Sequence, residues 1–222
     1  ISPHTRHVDF RIDEHARAAS ATKEPRRRVR SLGRITRRTE RLLLRPFAET
    51  DADEFVRLIE ASREAWAPWT PASERAVSGG ELFRRELRRT EAGAGSGTHL
   101  RLGAFVHVGR SLVGIFALNE IVRGVFQSAH ASWQIAGDRM GQGLGTEGVR
   151  AILDIAFDQP PEGIGLHRVQ ANIMPSNTPS LRIAEKIGFR REGLAERYLK
   201  IAGRWEDHAM FAITSEEWSS VG

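Results

Sequence analysis

Met140-Gly141-Gln142-Gly143-Leu144-Gly145-Thr146-Glu147-Gly148 is the stretch on which the fold turns. Its glycines let backbone N–H groups approach an anion closely. Behind them Val149, Ile152, Leu153 and Ala156 have the spacing of a buried helix face, predicting a helix to about Phe157. A helix N-terminus adds about half a positive charge, so the natural ligand is a phosphate or pyrophosphate. Gly143, Gly145 and Gly148 also satisfy the G-x-G-x-x-G of a dinucleotide-binding unit. Three features oppose that. About seven residues separate Gly143 from the strand-like segment 129–135, whereas a dinucleotide turn follows its strand directly. The next strand, 168–173, runs into Met174-Pro175-Ser176-Asn177 rather than an acidic residue for a ribose. The loop also lies past the middle of the chain, behind several antiparallel-looking strands. A tight turn without any ligand is the bland alternative.

Upstream, residues 100–107, 111–119 and 129–135 read as strands, the first two joined by a turn at Gly109-Arg110. Leu42-Leu43-Leu44-Arg45-Pro46 reads as a short buried strand ended by proline. Thr50 is placed to cap a helix, with Asp53 completing a weak capping box and Phe55, Leu58 and Ile59 forming its apolar face. Residues 64–80 read as an irregular loop containing Trp66 and Trp69, the tryptophans best placed to face a substrate. Residues 81–91 read as a charged helix and 93–97 as a flexible break. Downstream, Thr178-Pro179 reads as a helix start with a capping hydroxyl, and Gly188 as its left-handed end. Strands near 192–198 and 205–213 close the chain. Strands and helices alternate in the middle while hairpins occupy both ends, which predicts an α/β fold with a mixed sheet and helices on its faces.

A second polar segment runs from Asn172 through Asn177 and Ser180 to Gly188-Phe189. Small polar side chains at a strand end and a first helical turn can bond the amide-bearing arm of a cofactor, or simply cap the helix. Taken with the glycine loop, this segment resembles the GNAT acetyltransferases, whose acyl-CoA pyrophosphate loop is written Q/R-x-x-G-x-G/A. Within them the chain is most similar to the RimJ/RimL group, on the side of the RimJ-type ribosomal-protein-alanine N-acetyltransferases. The matching residues include Asn119, Val122-Arg123-Gly124-Val125-Phe126, Ala171-Asn172-Ile173-Met174-Pro175, Glu192-Gly193, Tyr198-Leu199 and Gly203-Arg204-Trp205-Glu206-Asp207-His208. The likeness covers about residues 39–218.

The resemblance implies the GNAT fold, a mostly antiparallel mixed sheet of about seven strands flanked by helices. It implies acetyl-CoA, or another acyl-CoA, as co-substrate, and no metal. Trp133, Gln134 and Ile135 would lie along the pantetheine arm. Met140, Gly141, Gln142, Gly143, Leu144, Gly145 and Thr146 would cradle the pyrophosphate, and Asn172, Asn177 and Ser180 would face the arm from the other side. A splay between the strands ending at Ile135 and Ile173 would admit the thioester. Two positions depart from the family: Met140 stands where Q/R is usual, with Arg139 one residue early, and Ala184 stands where many members carry a proton-donating tyrosine. Ser180 or water is then left as the acid. Glu120 and His130 are the candidate bases, with His208 a third histidine to place. A terminal α-amine, of pKa ~7.7–8.0 against ~10.4 for lysine, needs little base catalysis. The acceptor the resemblance implies, a ribosomal-protein-like protein or peptide N-terminus attacked directly in a ternary complex, fits that. A small amine such as an aminoglycoside or polyamine, a peptide natural product, and a weakly catalytic CoA-binding or ribosome-associated module remain as alternatives.

Composition bounds the rest. The 222 residues hold no cysteine, which excludes a disulfide framework, a thiolate nucleophile and a cysteine-ligated metal. No run is long and apolar enough to span a membrane, and the first twenty residues lack the apolar centre of a secretory signal. A cytoplasmic protein, monomeric or homodimeric and without a membrane partner, is expected. Residues 1–38 carry 11 Lys/Arg against 4 Asp/Glu, and the remainder 22 against 24. The division is thus a basic N-terminal extension, 1–38, and an acetyltransferase domain, 39–222. The extension reads either as a solvated, disordered leader or as a contact for the ribosome, RNA or another acidic partner.

Overall fold

The computed structural model describes residues 32–220. Leu42 and Leu44 alternate with Leu43 and Arg45, and both are wholly buried. That two-residue period makes 42–45 a strand with one face in the core. It joins an eight-stranded sheet: β1 (Arg37–Arg38), β2 (Leu42–Arg45), β3 (Leu100–Val106), β4 (Leu112–Val122), β5 (Ser128–Ile135), β6 (Arg168–Ile173), β7 (Arg190–Ile201) and β8 (Arg204–Thr214). The spatial order is β1-β2-β3-β4-β5-β6-β8-β7. Every pairing is antiparallel except β5 with β6. The count exceeds the expected seven by the edge strand Arg37–Arg38, which pairs with Leu43 and Leu44. Leu32 and Ile35 are also buried in the main core, so the packed body reaches back to Leu32. The rest of the basic extension lies outside the described residues.

Among the described residues six α-helices complete the fold: α1 (Ala52–Trp66), α2 (Ala72–Arg75), α3 (Gly79–Ser96), α4 (Leu144–Phe157), α5 (Thr178–Ile187) and α6 (Ser215–Ser219). α4 crosses one face of the sheet so closely that a Cβ on Gly148 would sit 2.0 Å from the Phe116 ring on β4. Phe116 is fully buried there, a contact of roughly 2–3 kcal/mol in apolar burial. Phe55, Leu58 and Ile59 of α1 and Phe83 of α3 build a second core with Leu112 and Ile115 on the opposite face. Glu86 of α3, 4% exposed, makes a bidentate pair with Arg101 of β3.

Several local expectations give way. α1 is organised by Asp51 and not by Thr50: the Asp51 carboxylate accepts from the Ala48 N–H at 2.8 Å and holds Arg45 at 2.7 Å. Residues 64–80 are largely helical, because α1 runs to Trp66 and α3 already begins at Gly79, capped by Ser78. The glycines at 93 and 95 lie inside α3 instead of breaking it. A Cβ on Gly93 would come 2.4 Å from the His99 carbonyl, so this glycine admits the returning chain. The α5 cap is Asn177, whose Oδ1 accepts from the Ser180 N–H at 3.3 Å, with Thr178 as the first helical residue.

Candidate active site

Gly143 stands at the N-cap of α4 with φ +80° and no side-chain cap. By helix geometry the first N–H groups of α4 lack partners within the helix. The loop before them is held from behind by the turn between β1 and β2. Thr39 Oγ1 donates to Glu147 at 2.5 Å, the Arg41 backbone N–H and Nε donate to the same carboxylate at 2.8 and 2.6 Å, and an Arg41 guanidinium nitrogen donates to the Gln142 carbonyl at 2.9 Å. Burial opposes ionisation of Glu147, but the bonds from Thr39 and Arg41 outweigh it and lower the carboxyl's pKa. Leu144 turns into the core and anchors the turn.

β5 and β6 pair only at 128–130 with 168–170. Both strands continue beyond that point without each other, which opens the sheet. The Ala136 N–H bonds Val113 on the β4 side, so strand alternation turns the N–H and C=O of Ile135 the other way. Its carbonyl accepts from the Trp66 indole at 2.8 Å, and its N–H faces the opening. From here a groove of about 580 Å³ runs to the start of α4.

Of the residues singled out from the sequence, Trp133, Gln134, Ile135, Met140, Gly141, Gly143, Gly145, Thr146, Asn177 and Ser180 line the groove, as do Trp66 and Trp69. Gln142 does not, and its side chain bonds the Asp138 carbonyl at 3.3 Å. Three cations on the wall, Arg139, Arg182 and Lys186, complement the loop. The last two had a signal in their four-residue spacing on α5, which puts both on one face.

Asn172 stands apart from the groove lining. Its Nδ2 is 3.1 Å from His130 Nδ1 and 3.2 Å from the Tyr198 hydroxyl. His130 Nε2 is in turn 4.0 Å from Glu120, an exposed carboxylate at a bulge of β4 with φ +50°. Tyr198 meets His208 edge to face, and His208 is buried with Nδ1 3.0 Å from the Glu206 carbonyl. Glu120, His130 and Asn172 therefore form one polar row, while Ser180 belongs to the groove. Ala184 is fully buried, with no hydroxyl in its place.

A second hollow, about 90 Å³, lies between α1, α3 and the sheet and shares Trp66 and Gln134 with the groove.

A split between parallel strands, closed at one end by an uncapped glycine-started helix, is the arrangement the resemblance implied. Residues 41–190 match the family model described as the acetyltransferase (GNAT) domain. The chain belongs to the GNAT family. Like its relatives, this GNAT enzyme is an acyl-CoA-dependent N-acetyltransferase. It is 31% identical to the probable N-acetyltransferase YjcK of Bacillus subtilis over 79% of this chain and 95% of that protein. It is 28% identical to the ribosomal protein uS5-alanine N-acetyltransferase of Escherichia coli over 82% of this chain and 91% of that one. The solved structure of Mycobacterium smegmatis RimJ in complex with CoA-disulfide superposes with a TM-score of 0.71 at 30% identity, covering 79% of this chain and 83% of that one. The GNAT groove here has the chemistry an acyl-CoA requires: free N–H groups and cations at one end, and an unpaired strand edge leading to Ile135.

Proposed function

We propose that the protein transfers an acetyl group from acetyl-CoA to the N-terminal α-amine of a protein or peptide. The observation that carries this reading is the groove lining, which among the described residues contains no Asp, Glu or His. A site so poor in bases suits an amine of pKa ~7.7–8.0, already part neutral near pH 7, better than one of ~10.4. The E. coli relative that acts on a ribosomal-protein alanine supports the same choice.

Bound acetyl-CoA supplies an activated carbonyl and a good leaving thiolate. The chain's own groups do the rest. The N–H groups at the start of α4, with Arg139, Arg182 and Lys186, hold the phosphates. Trp133, Gln134 and Ile135 orient the pantetheine arm along the open edge of β5. The Ile135 N–H stabilises negative charge on the oxygen under attack. Ser180 Oγ gives a proton to the departing sulfur. His130 and Glu120 accept the proton lost by the amine, through water. Positioning supplies most of the rate. The enzyme works in the cytoplasm, and the basic extension ahead of its packed body guides it to an acidic partner such as the ribosome.

Thiol release from acetyl-CoA, with and without peptides bearing free N-termini, tests this reading. Peptide-dependent release with the acetyl group placed on the α-amine by mass spectrometry is expected. Turnover of a polyamine or aminoglycoside with no peptide turned over would overturn it.

A further inference from the structure

The small hollow beside the groove carries a charge that the transfer chemistry does not use. Its lining combines apolar Phe55, Ile59, Leu82 and Ile115 with Arg63, Arg75, Arg85, Arg89 and Arg101 and with the carboxylates Glu74 and Glu86. Three of those cations have carboxylate partners, Arg85 sharing its own with Arg84 and Arg88. Arg101 is spent on Glu86 at 2.5 Å, Arg85 on Glu81 at 3.1 Å, and Arg89 on Glu74 at 3.6 Å. Arg63 and Arg75 have no carboxylate partner among the described residues. Arg63 donates to the backbone carbonyls of Arg75 and Val77, at 2.6 and 3.2 Å. Arg75 donates to those of Thr70 and Ala67. These bonds hold both guanidinium groups in place without neutralising them.

The hollow meets the groove at Trp66 and Gln134, next to the Ile135 N–H. A molecule whose amine reaches the acyl carbon therefore passes beside this hollow. Its volume of about 90 Å³ equals roughly three waters, the scale of one short side chain. In a partly covered hollow, charge–charge energies exceed those in bulk water. A cationic acceptor meets repulsion there, a neutral one gains nothing, and a carboxylate finds two held guanidinium groups.

Resting on the α-amine reading above, we infer that the preferred acceptor is a peptide with a carboxylate side chain, Asp or Glu, in its first few residues, seated between Arg63 and Arg75. The hollow acts as a charge-selective subsite and disfavours polyamines.

The test is a set of matched N-terminal-alanine peptides with Glu, Gln or Lys at the second or third position, scored by kcat/KM. The Glu peptide is expected to exceed the Gln peptide by about 10- to 100-fold, the range of a hydrogen bond to a charged group, with Lys last. The Glu/Gln ratio should fall toward unity in the double variant R63Q/R75Q, with folding checked by thermal midpoint and CoA titration. It should also shrink with rising salt in the wild type, a readout that needs no variant. Equal use of the three peptides by the wild type, or a ratio unchanged in a folded double variant, overturns the inference and leaves the α-amine reading intact. Turnover of spermidine with no peptide acetylated overturns both.

Discussion

Two helices begin on the same groove, and their first turns are completed in opposite ways. α5 is closed by its own chain: the Asn177 carboxamide accepts from the Ser180 N–H. α4 has Gly143 as its N-cap, with no side-chain hydrogen bond capping it, and is held from outside by Thr39 and Arg41 through its own Glu147. A capped helix end has satisfied its donors within the protein, whereas an open one, braced from behind, keeps them for a ligand. The contrast separates a structural helix start from a binding one.

The strongest way to break the contrast is to close α4 as α5 is closed. Gly143→Asp places a carboxylate at the open terminus and a side chain at φ +80°. CoA affinity measured calorimetrically is expected to fall by about 100-fold, as expected from losing one or two charged hydrogen bonds. Removing the brace comes next: Glu147→Ala frees Thr39 and Arg41, with an expected loss of about 10-fold in CoA affinity and about 1–3 kcal/mol in stability. Opening α5 has the smaller and different effect. Asn177→Ala should cost about 1 kcal/mol of stability in a denaturant titration while changing CoA affinity by no more than about 3-fold.

Acid sharpens the same comparison, since the brace of α4 titrates and the amide cap of α5 does not. The Glu147 carboxyl is lowered from its ordinary 4.5. The Glu192 carboxyl on β7 is lowered to about 2, chiefly by its bonds from Arg168, against some burial and with help from Arg190. Both folded values are depressed. Their stabilisation is therefore present above the unfolded value near 4.5 and lost as pH falls through the folded ones. The thermal midpoint is expected to hold from pH 7 to 5 and to drop below about pH 4.5, with a smaller drop in Glu192→Gln.

The parts of this molecule legible in its sequence are those written in local periodicity. Val149, Ile152, Leu153 and Ala156 announced α4, and the run Leu42-Leu43-Leu44 closed by Pro46 announced β2. The order of the glycine loop and the Asn177–Gly188 segment carried the family. What escaped is set by contacts distant in sequence. Gly93 looked like a break because the His99 carbonyl it accommodates is visible only once α3 packs on β3. Trp66 looked like a loop residue because its indole bonds Ile135, sixty-nine residues away. Arg41, more than a hundred residues from Glu147, offered no local signal at all. Ion pairs and braces of this kind depend on tertiary register, which no single stretch of chain encodes.

The most direct measurement is a calorimetric titration of the wild-type protein with CoA and, in parallel, with pantetheine, which has the same thiol arm without the phosphates and adenosine. If the open N-terminus of α4 is the anchor, CoA binds at least about 100-fold more tightly than pantetheine. Equal affinities would place the binding energy in the arm alone and contradict the role assigned to the glycine loop.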